Sequence, residues 1–302
     1  MWDVFAGGFG FLPFHRFSIA VWVGLVKEVV AVIHLARLPS SSHRGDKDLD
    51  GIVEDAVREA RILEDLGYGS VILENYGDKP YQKRVRDPLT IASMSIAVRE
   101  VVRSTGLRVG VNLLRNSGRE AYSIAIASGA KFVRINSLVE TIVSDSGLIE
   151  PEAPRLRSLR INYPWVEIYA DLLVKHASSM NLGMMILERL DPQALVSKST
   201  DTKDYLRELV NDYVERGGAD KLIVTGLRTG EPPRVELLKL VRELSPVPVL
   251  VGSGVNTNNI GSILKHCDGV IVGSFIRKNG KAGEPLDLER AKSFIESVKS
   301  YS

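Results

Sequence analysis

The stretch Pro248–Ser274, PVLVGSGVNTNNIGSILKHCDGVIVGS, carries two short apolar runs, Val247–Val251 and Gly269–Val272, separated by a short helical pattern. Each run ends in a Gly/Ser turn, Gly252-Ser253-Gly254 in the first case and Gly273-Ser274 in the second. Glycine lets the backbone take unusual dihedrals and approach a ligand closely. A turn of this kind that leads into a helix N-terminus points free N–H groups at an anion. In (β/α)8 barrels the loops after strands seven and eight are a common phosphate site. The stretch therefore predicts the last two strands of such a barrel, and counting strands back to the start tests the reading.

Six further strand patterns precede it. They are Val29–His34, Ser70–Leu73, Arg108–Val111, Lys131–Ile135, Trp165–Ala170 and Lys221–Val224, short apolar runs of the kind buried on both faces. Between them lie helical patterns at Asp50–Leu66, Pro88–Arg103, Gly118–Ser128, Glu152–Ile161, Thr202–Arg216 and Arg234–Leu244, with Asp287–Val298 closing the chain. Gly67 and Gly129 stand where helices end, and Asp87-Pro88 reads as a helix start. Eight strand–helix units over 302 residues suit one barrel, residues 29–302, with an N-terminal extension, residues 1–28. An open doubly wound sheet is disfavoured because no G-x-G-x-x-G follows the first strand. The connection from Asn136 to Pro151 is long and reads as a functional loop.

Composition bounds the function. A net charge of +2 gives no electrostatic case for nucleic acid. The lone Cys267 rules out an intramolecular disulfide and fits a reducing, cytoplasmic setting. The uncharged run Phe17–Val26 is ten residues long, half of the roughly 20 that span a bilayer. The extension is read as packed on the body or on a neighbouring chain, with a peripheral membrane contact and a homo-oligomer left open.

Polar residues crowd the predicted C-terminal ends of the strands: His34, Glu74, Asn75, Asn112, Arg115, Asn116, Arg134, Asn136, Asp171, Lys175, His176 and Thr225. The opposite ends read as plain turns, so the ligand belongs at the C-terminal face. Alternation along strand five points Glu167, Tyr169 and Asp171 into the barrel and Val166, Ile168 and Ala170 towards the helices. Asp171 and Lys175 are then an acid/base or carbonyl-chemistry pair, or an ion pair closing the barrel top. Arg134 faces inward by the same parity and is expected to pair with Asp171, with Glu167 or with an anionic substrate. Arg115-Asn116 is read as a start signal for the helix at Gly118. Glu74, His34, Asp171 and His176 lack a compact ligand spacing, so no cofactor is expected and a divalent metal has weak support.

Several blocks, in order, resemble the BtpA/SgcQ family of barrel proteins: VIHLARLP (Val32–Pro39), VILENYGDKP (Val71–Pro80), VGVNLLRN (Val109–Asn116), KFVRIN (Lys131–Asn136), DSGLIE (Asp145–Glu150), ADLLVKHA (Ala170–Ala177) and VTGLRTG (Val224–Gly230). The final glycine turn also resembles, more loosely, the phosphate cradle of ribulose-phosphate-binding barrels. The Asp171, Lys175 and His176 positions match the family, whereas Leu172-Leu173 departs from it. The residues and the resemblance together leave two readings. One is an enzyme acting on a sugar phosphate or nucleotide-like compound by isomerase or aldolase/lyase chemistry. Its catalytic residues would be Asp171, Lys175, Glu74 and His176, and its ligand contacts Gly252, Ser253, Gly254, Gly273, Ser274, Arg134, Asn112, Asn136, His34 and Thr225. The other is a non-enzymatic assembly factor, as cyanobacterial members are for photosystem I at the thylakoid membrane.

Overall fold

A computed structural model describes residues 27–41, 45–173, 177–180, 201–226 and 231–301. Eight parallel strands close into a barrel: β1 (Glu28–His34), β2 (Ser70–Glu74), β3 (Arg108–Asn112), β4 (Phe132–Ile135), β7 (Glu167–Leu172), β9 (Lys221–Val224), β10 (Val249–Val251) and β11 (Gly269–Val272). Around the barrel the order is β1-β11-β10-β9-β7-β4-β3-β2, so β1 bonds to both β2 and β11. All eight predicted strands are present, the fifth shifted two residues towards the C-terminus.

Helices cover the outside: α1 (Leu49–Leu66), α2 (Pro88–Ser104), α3 (Gly118–Ser128), α4 (Ala153–Asn162), α5 (Asp201–Asn211), α6 (Val235–Leu244), α7 (Ile260–Leu264) and α8 (Leu288–Lys299). Their starts follow local chemistry. The carboxylates of Asp48, Asp87 and Asp287 accept from the first-turn N–H groups of Gly51, Leu89 and Arg290. Gly67, at φ 92°, ends α1 in the left-handed conformation.

Strand parity splits the core in two. Ala31, Ile33, Val71, Leu73, Ile168 and Ala170 face the helices, whereas Val30, Val32, Ile72, Phe132, Tyr169, Ile223, Leu250 and Ile271 fill the barrel. Phe132 and Tyr169 stack inside it with centroids 4.4 Å apart. The N-terminal end is closed by charge. The Tyr169 hydroxyl donates to Glu28 (2.8 Å) and accepts from Arg108 (2.9 Å) and Lys221 (2.7 Å). Arg108 also pairs with Glu167 at 2.8 Å, which places Glu167 at the opposite end from Asp171.

The long connection after β4, read from sequence as a functional loop, carries strands of its own. β5 (Ile142–Ser144) and β6 (Gly147–Ile149) form a hairpin, and β5 pairs on its other edge with β8 (Ala177–Ser179). This small antiparallel sheet stands beside the barrel mouth.

Candidate functional site at the barrel mouth

A cavity of about 500 Å³ opens at the C-terminal end of the strands. Its floor is a set of buried polar side chains from neighbouring strands. Glu74 and Asn112 are register partners at the ends of β2 and β3, and Asn112 Nδ2 donates to Glu74 Oε2 at 2.7 Å. Arg134 and Asn136 come from β4 and the residue just beyond it, and both reach Asp171 of β7. Arg134 Nε and Nη2 meet Asp171 Oδ1 and Oδ2 at 3.1 Å each, and Asn136 Nδ2 donates to Oδ2 at 2.6 Å. Burial works against the Arg134 charge, but the negative charges of Asp171 and Glu74 outweigh it and hold its pKa above the ordinary arginine value.

This geometry changes what Asp171 can do. The carboxylate is fully buried and both oxygens are engaged, so it holds Arg134 in place rather than standing open to exchange a proton. Of the two carboxylates considered for Arg134, Asp171 is the partner and Glu167 is not. Lys175 and His176, the other two residues of that cluster, lie outside the described residues. Glu74 lines the cavity with one carboxylate oxygen held by Asn112. Among the described residues no three His, Cys, Asp or Glu side chains converge to hold a metal.

The two glycine turns differ. Gly252, Ser253 and Gly254 line the mouth, but their composition is explained by packing. A Cβ on Gly254, whose φ is +72°, would lie 2.0 Å from Pro232 N, and one on Gly252 would lie 2.4 Å from an Ile223 methyl. The Ser253 hydroxyl donates to Glu231 O (3.0 Å) and accepts from Gly226 N (3.1 Å), which ties two loops together. Nor does this turn lead straight into a helix. Val255–Asn259 intervene, braced by Asn259 on Gly254 O at 2.8 Å, and α7 is short. Thr225 is buried with its methyl towards Gly252 and is not part of the cavity lining.

Gly273 is the exception. A Cβ there would meet nothing closer than 3.4 Å, at His34 Cε1 and a Val32 methyl, so packing does not demand glycine. Directly after it, Ser274–Ile276 forms a single 3₁₀ turn. Arg290 reaches the same place from the first turn of α8. Its backbone N–H is capped by Asp287 at 3.1 Å, its Nε donates to Phe275 O at 2.7 Å, and its guanidinium lies 4.7 Å from the Phe275 ring centroid. Among the described residues it makes no ion pair, and its Nη groups carry no hydrogen bond. Arg290 comes from the opening turn of the last helix, so a reading that takes candidates from strand ends does not reach it.

The walls are aromatic and basic. His34 packs against Tyr76 at 4.5 Å, and Lys79 Nζ sits 3.5 Å over the Tyr76 ring. Burial, with Glu74 and Tyr76 adding to it, pushes the Tyr81 hydroxyl far above the ordinary tyrosine pKa. Ile142 and Ile149 close the cavity from the β5–β6 hairpin. Asp145 at the hairpin's tip accepts two 2.9 Å bonds from Arg115, which covers Tyr81. Asn116 does not cap α3 as predicted. Its amide donates to Ser137 O and Glu150 O and accepts from Ser137 N, all at 3.0 Å, fastening both ends of the hairpin connection.

The family model described as the BtpA family matches residues 25–189 and 184–300. An uncharacterized protein of Methanocaldococcus jannaschii is 38% identical over 270 residues, 89% of this chain and 94% of its own. The photosystem I biogenesis protein BtpA of Synechocystis is 35% identical over 272 residues, 89% of this chain and 87% of its own. Among solved structures, (S)-3-O-geranylgeranylglyceryl phosphate synthase from Thermoplasma acidophilum, in complex with its substrate sn-glycerol-1-phosphate, superposes with a TM-score of 0.53. The match covers 91% of this chain and 94% of that one at 13% identity, a likeness of fold.

Proposed function

The chain belongs to the BtpA family, and from that premise we propose that its barrel mouth binds a phosphorylated small molecule and acts on it. One observation carries the reading: among the described residues, Arg290 offers unclaimed guanidinium donors beside Gly273-Ser274, a turn of the mouth whose glycine packing does not require. A guanidinium fork matches phosphate oxygens, and a bare backbone lets them approach. The 3₁₀ turn begins there, and its opening N–H groups, which have no acceptor within the turn itself, would add to the cradle. Gly252–Gly254 would shape the neighbouring wall, with Lys79 as a second cation at the rim.

In this reading Glu74 is the acid/base group. It is the carboxylate of the floor with an oxygen no protein donor occupies among the described residues, and it lines the cavity within electrostatic reach of Arg134. Isomerase or lyase chemistry next to a hydroxyl or carbonyl suits one such carboxylate working with a fixed cation. A second reading, an assembly factor that binds protein, is favoured by the relationship to the Synechocystis photosystem I protein.

The test is thermal unfolding in the presence of sugar phosphates, nucleotides and inorganic phosphate. A ligand at 100 times its Kd stabilises by about 2.7 kcal/mol. The reading expects at least one phosphorylated compound to raise the midpoint and Arg290→Met to abolish the rise. A flat response to every phosphate compound would remove it in favour of the assembly reading.

A further inference from the structure

Asn112 is buried, at 1% exposure, yet its amide is half satisfied. The 2.7 Å bond from Nδ2 to Glu74 Oε2 fixes which way the amide faces, because only the nitrogen end can donate to a carboxylate. Oδ1 is then left buried, without a hydrogen-bond partner, in the wall of the mouth. Buried acceptors are nearly always satisfied, so one left unpaired on a residue that lines a ligand cavity marks where a ligand donor belongs. Beside it, Glu74 Oε1 receives no hydrogen bond from the described residues. The two residues, coupled by the Nδ2–Oε2 bond, line the cavity together from neighbouring strand ends.

Resting on the phosphate reading above, we propose that Glu74 and Asn112 read a vicinal diol, and that the ligand is a sugar phosphate of about pentose length with both of those hydroxyls free. Each acceptor takes one hydroxyl hydrogen. A protonated amine fits less well, because the charge of Glu74 already acts on Arg134 and the Asn112 oxygen is neutral. Barrel order sets the length. Gly273 follows β11 and Glu74 ends β2, with β1 between them, so the two sites are two strand spacings apart, roughly 10 Å around the wall. That span separates a phosphate from a diol farther along the same carbon chain.

Titration calorimetry on the full-length protein tests this with D-ribose 5-phosphate, 2-deoxy-D-ribose 5-phosphate, phosphoethanolamine and inorganic phosphate. The expected result is ribose 5-phosphate binding at least about tenfold more tightly than its 2-deoxy analogue, because the analogue leaves a buried acceptor unpaired. Asn112→Leu should erase that difference between the two pentose phosphates. The wild-type comparison stands without the variant should the substitution impair folding. Equal affinity for the two pentose phosphates, tighter binding of phosphoethanolamine, or binding of inorganic phosphate alone would each overturn the diol assignment and leave the phosphate site intact. Failure of all four compounds to bind would overturn the phosphate reading itself.

Discussion

Arg134 and Asp171 meet in a two-pronged ion pair at the floor of the barrel mouth, Nε to Oδ1 and Nη2 to Oδ2 both at 3.1 Å, with Asp171 wholly enclosed. Attraction in so dry a place is strong, but so is the cost of removing both charges from water. The pair's main effect is to fix the orientation of a cation beneath the cavity. Removing one partner is then far worse than removing both. Asp171→Ala should lower unfolding stability by about 3–5 kcal/mol, and the double change Arg134→Met with Asp171→Leu should restore most of it. Urea unfolding midpoints decide the matter; a loss below about 1 kcal/mol in the single variant would contradict a buried pair.

Glycine at two positions of the mouth has two different reasons, and substitution separates them. Gly254→Ala places a methyl against the Pro232 and Glu231 backbone in a left-handed conformation, so it should destabilise by more than about 2 kcal/mol. Gly273→Ala has room, and its cost should stay near 1 kcal/mol. It should nevertheless weaken phosphate-ester binding, since the methyl enters the space assigned to the ligand. Stability by denaturant and affinity by calorimetry, measured on both variants, should move in opposite orders. Wild-type affinity in a folded Gly273→Ala protein would count against the cradle.

The barrel itself was legible because its strands are buried on both faces. Runs such as Val29–His34 and Lys221–Val224 need no tertiary information to stand out, and parity along Glu167–Asp171 correctly turned Tyr169 and Asp171 inward. The sheet beside the mouth was not legible. Its strands are three residues each, β5 pairs with a segment more than thirty positions away, and Val143 and Leu148 are exposed, so no burial pattern announces it. The site was read through residue type at strand ends, and Glu74, Asn112 and Arg134 do line the mouth cavity. That approach could not find Arg290, which arrives from a helix, and it gave Ser253 and Gly254 a ligand role that loop packing accounts for.

At the other end of the barrel, the Tyr169 hydroxyl joins Glu28, Arg108 and Lys221. Burial, reinforced by Glu28, keeps this phenol protonated well past the ordinary tyrosine range. Tyr169→Phe keeps the stack on Phe132 but removes the group that both cations donate to. It should destabilise by about 1–3 kcal/mol while leaving ligand affinity at the mouth unchanged, since this face serves stability. A variant that loses affinity without losing stability would show that the two ends are coupled.

Cys267 offers a check on the packing under β11. Its thiol is buried, donates to Ile263 O at 3.4 Å, and is pushed up to about 11 chiefly by that burial. Only the thiolate alkylates. At pH 8 roughly 0.1% of such a thiol is ionised, against roughly 25% of a free cysteine, so ionisation alone slows iodoacetamide about 200-fold. Because the folded pKa is raised, the ionised fraction should climb about tenfold per pH unit up to the pKa. Mass spectrometry of the native protein after timed exposure should show slow labelling at pH 8, faster labelling at pH 9 and 10, and immediate labelling in denaturant. Labelling of the native protein at the free-cysteine rate at pH 8 would mean that the packing around α7 and β11 is looser than this fold has it.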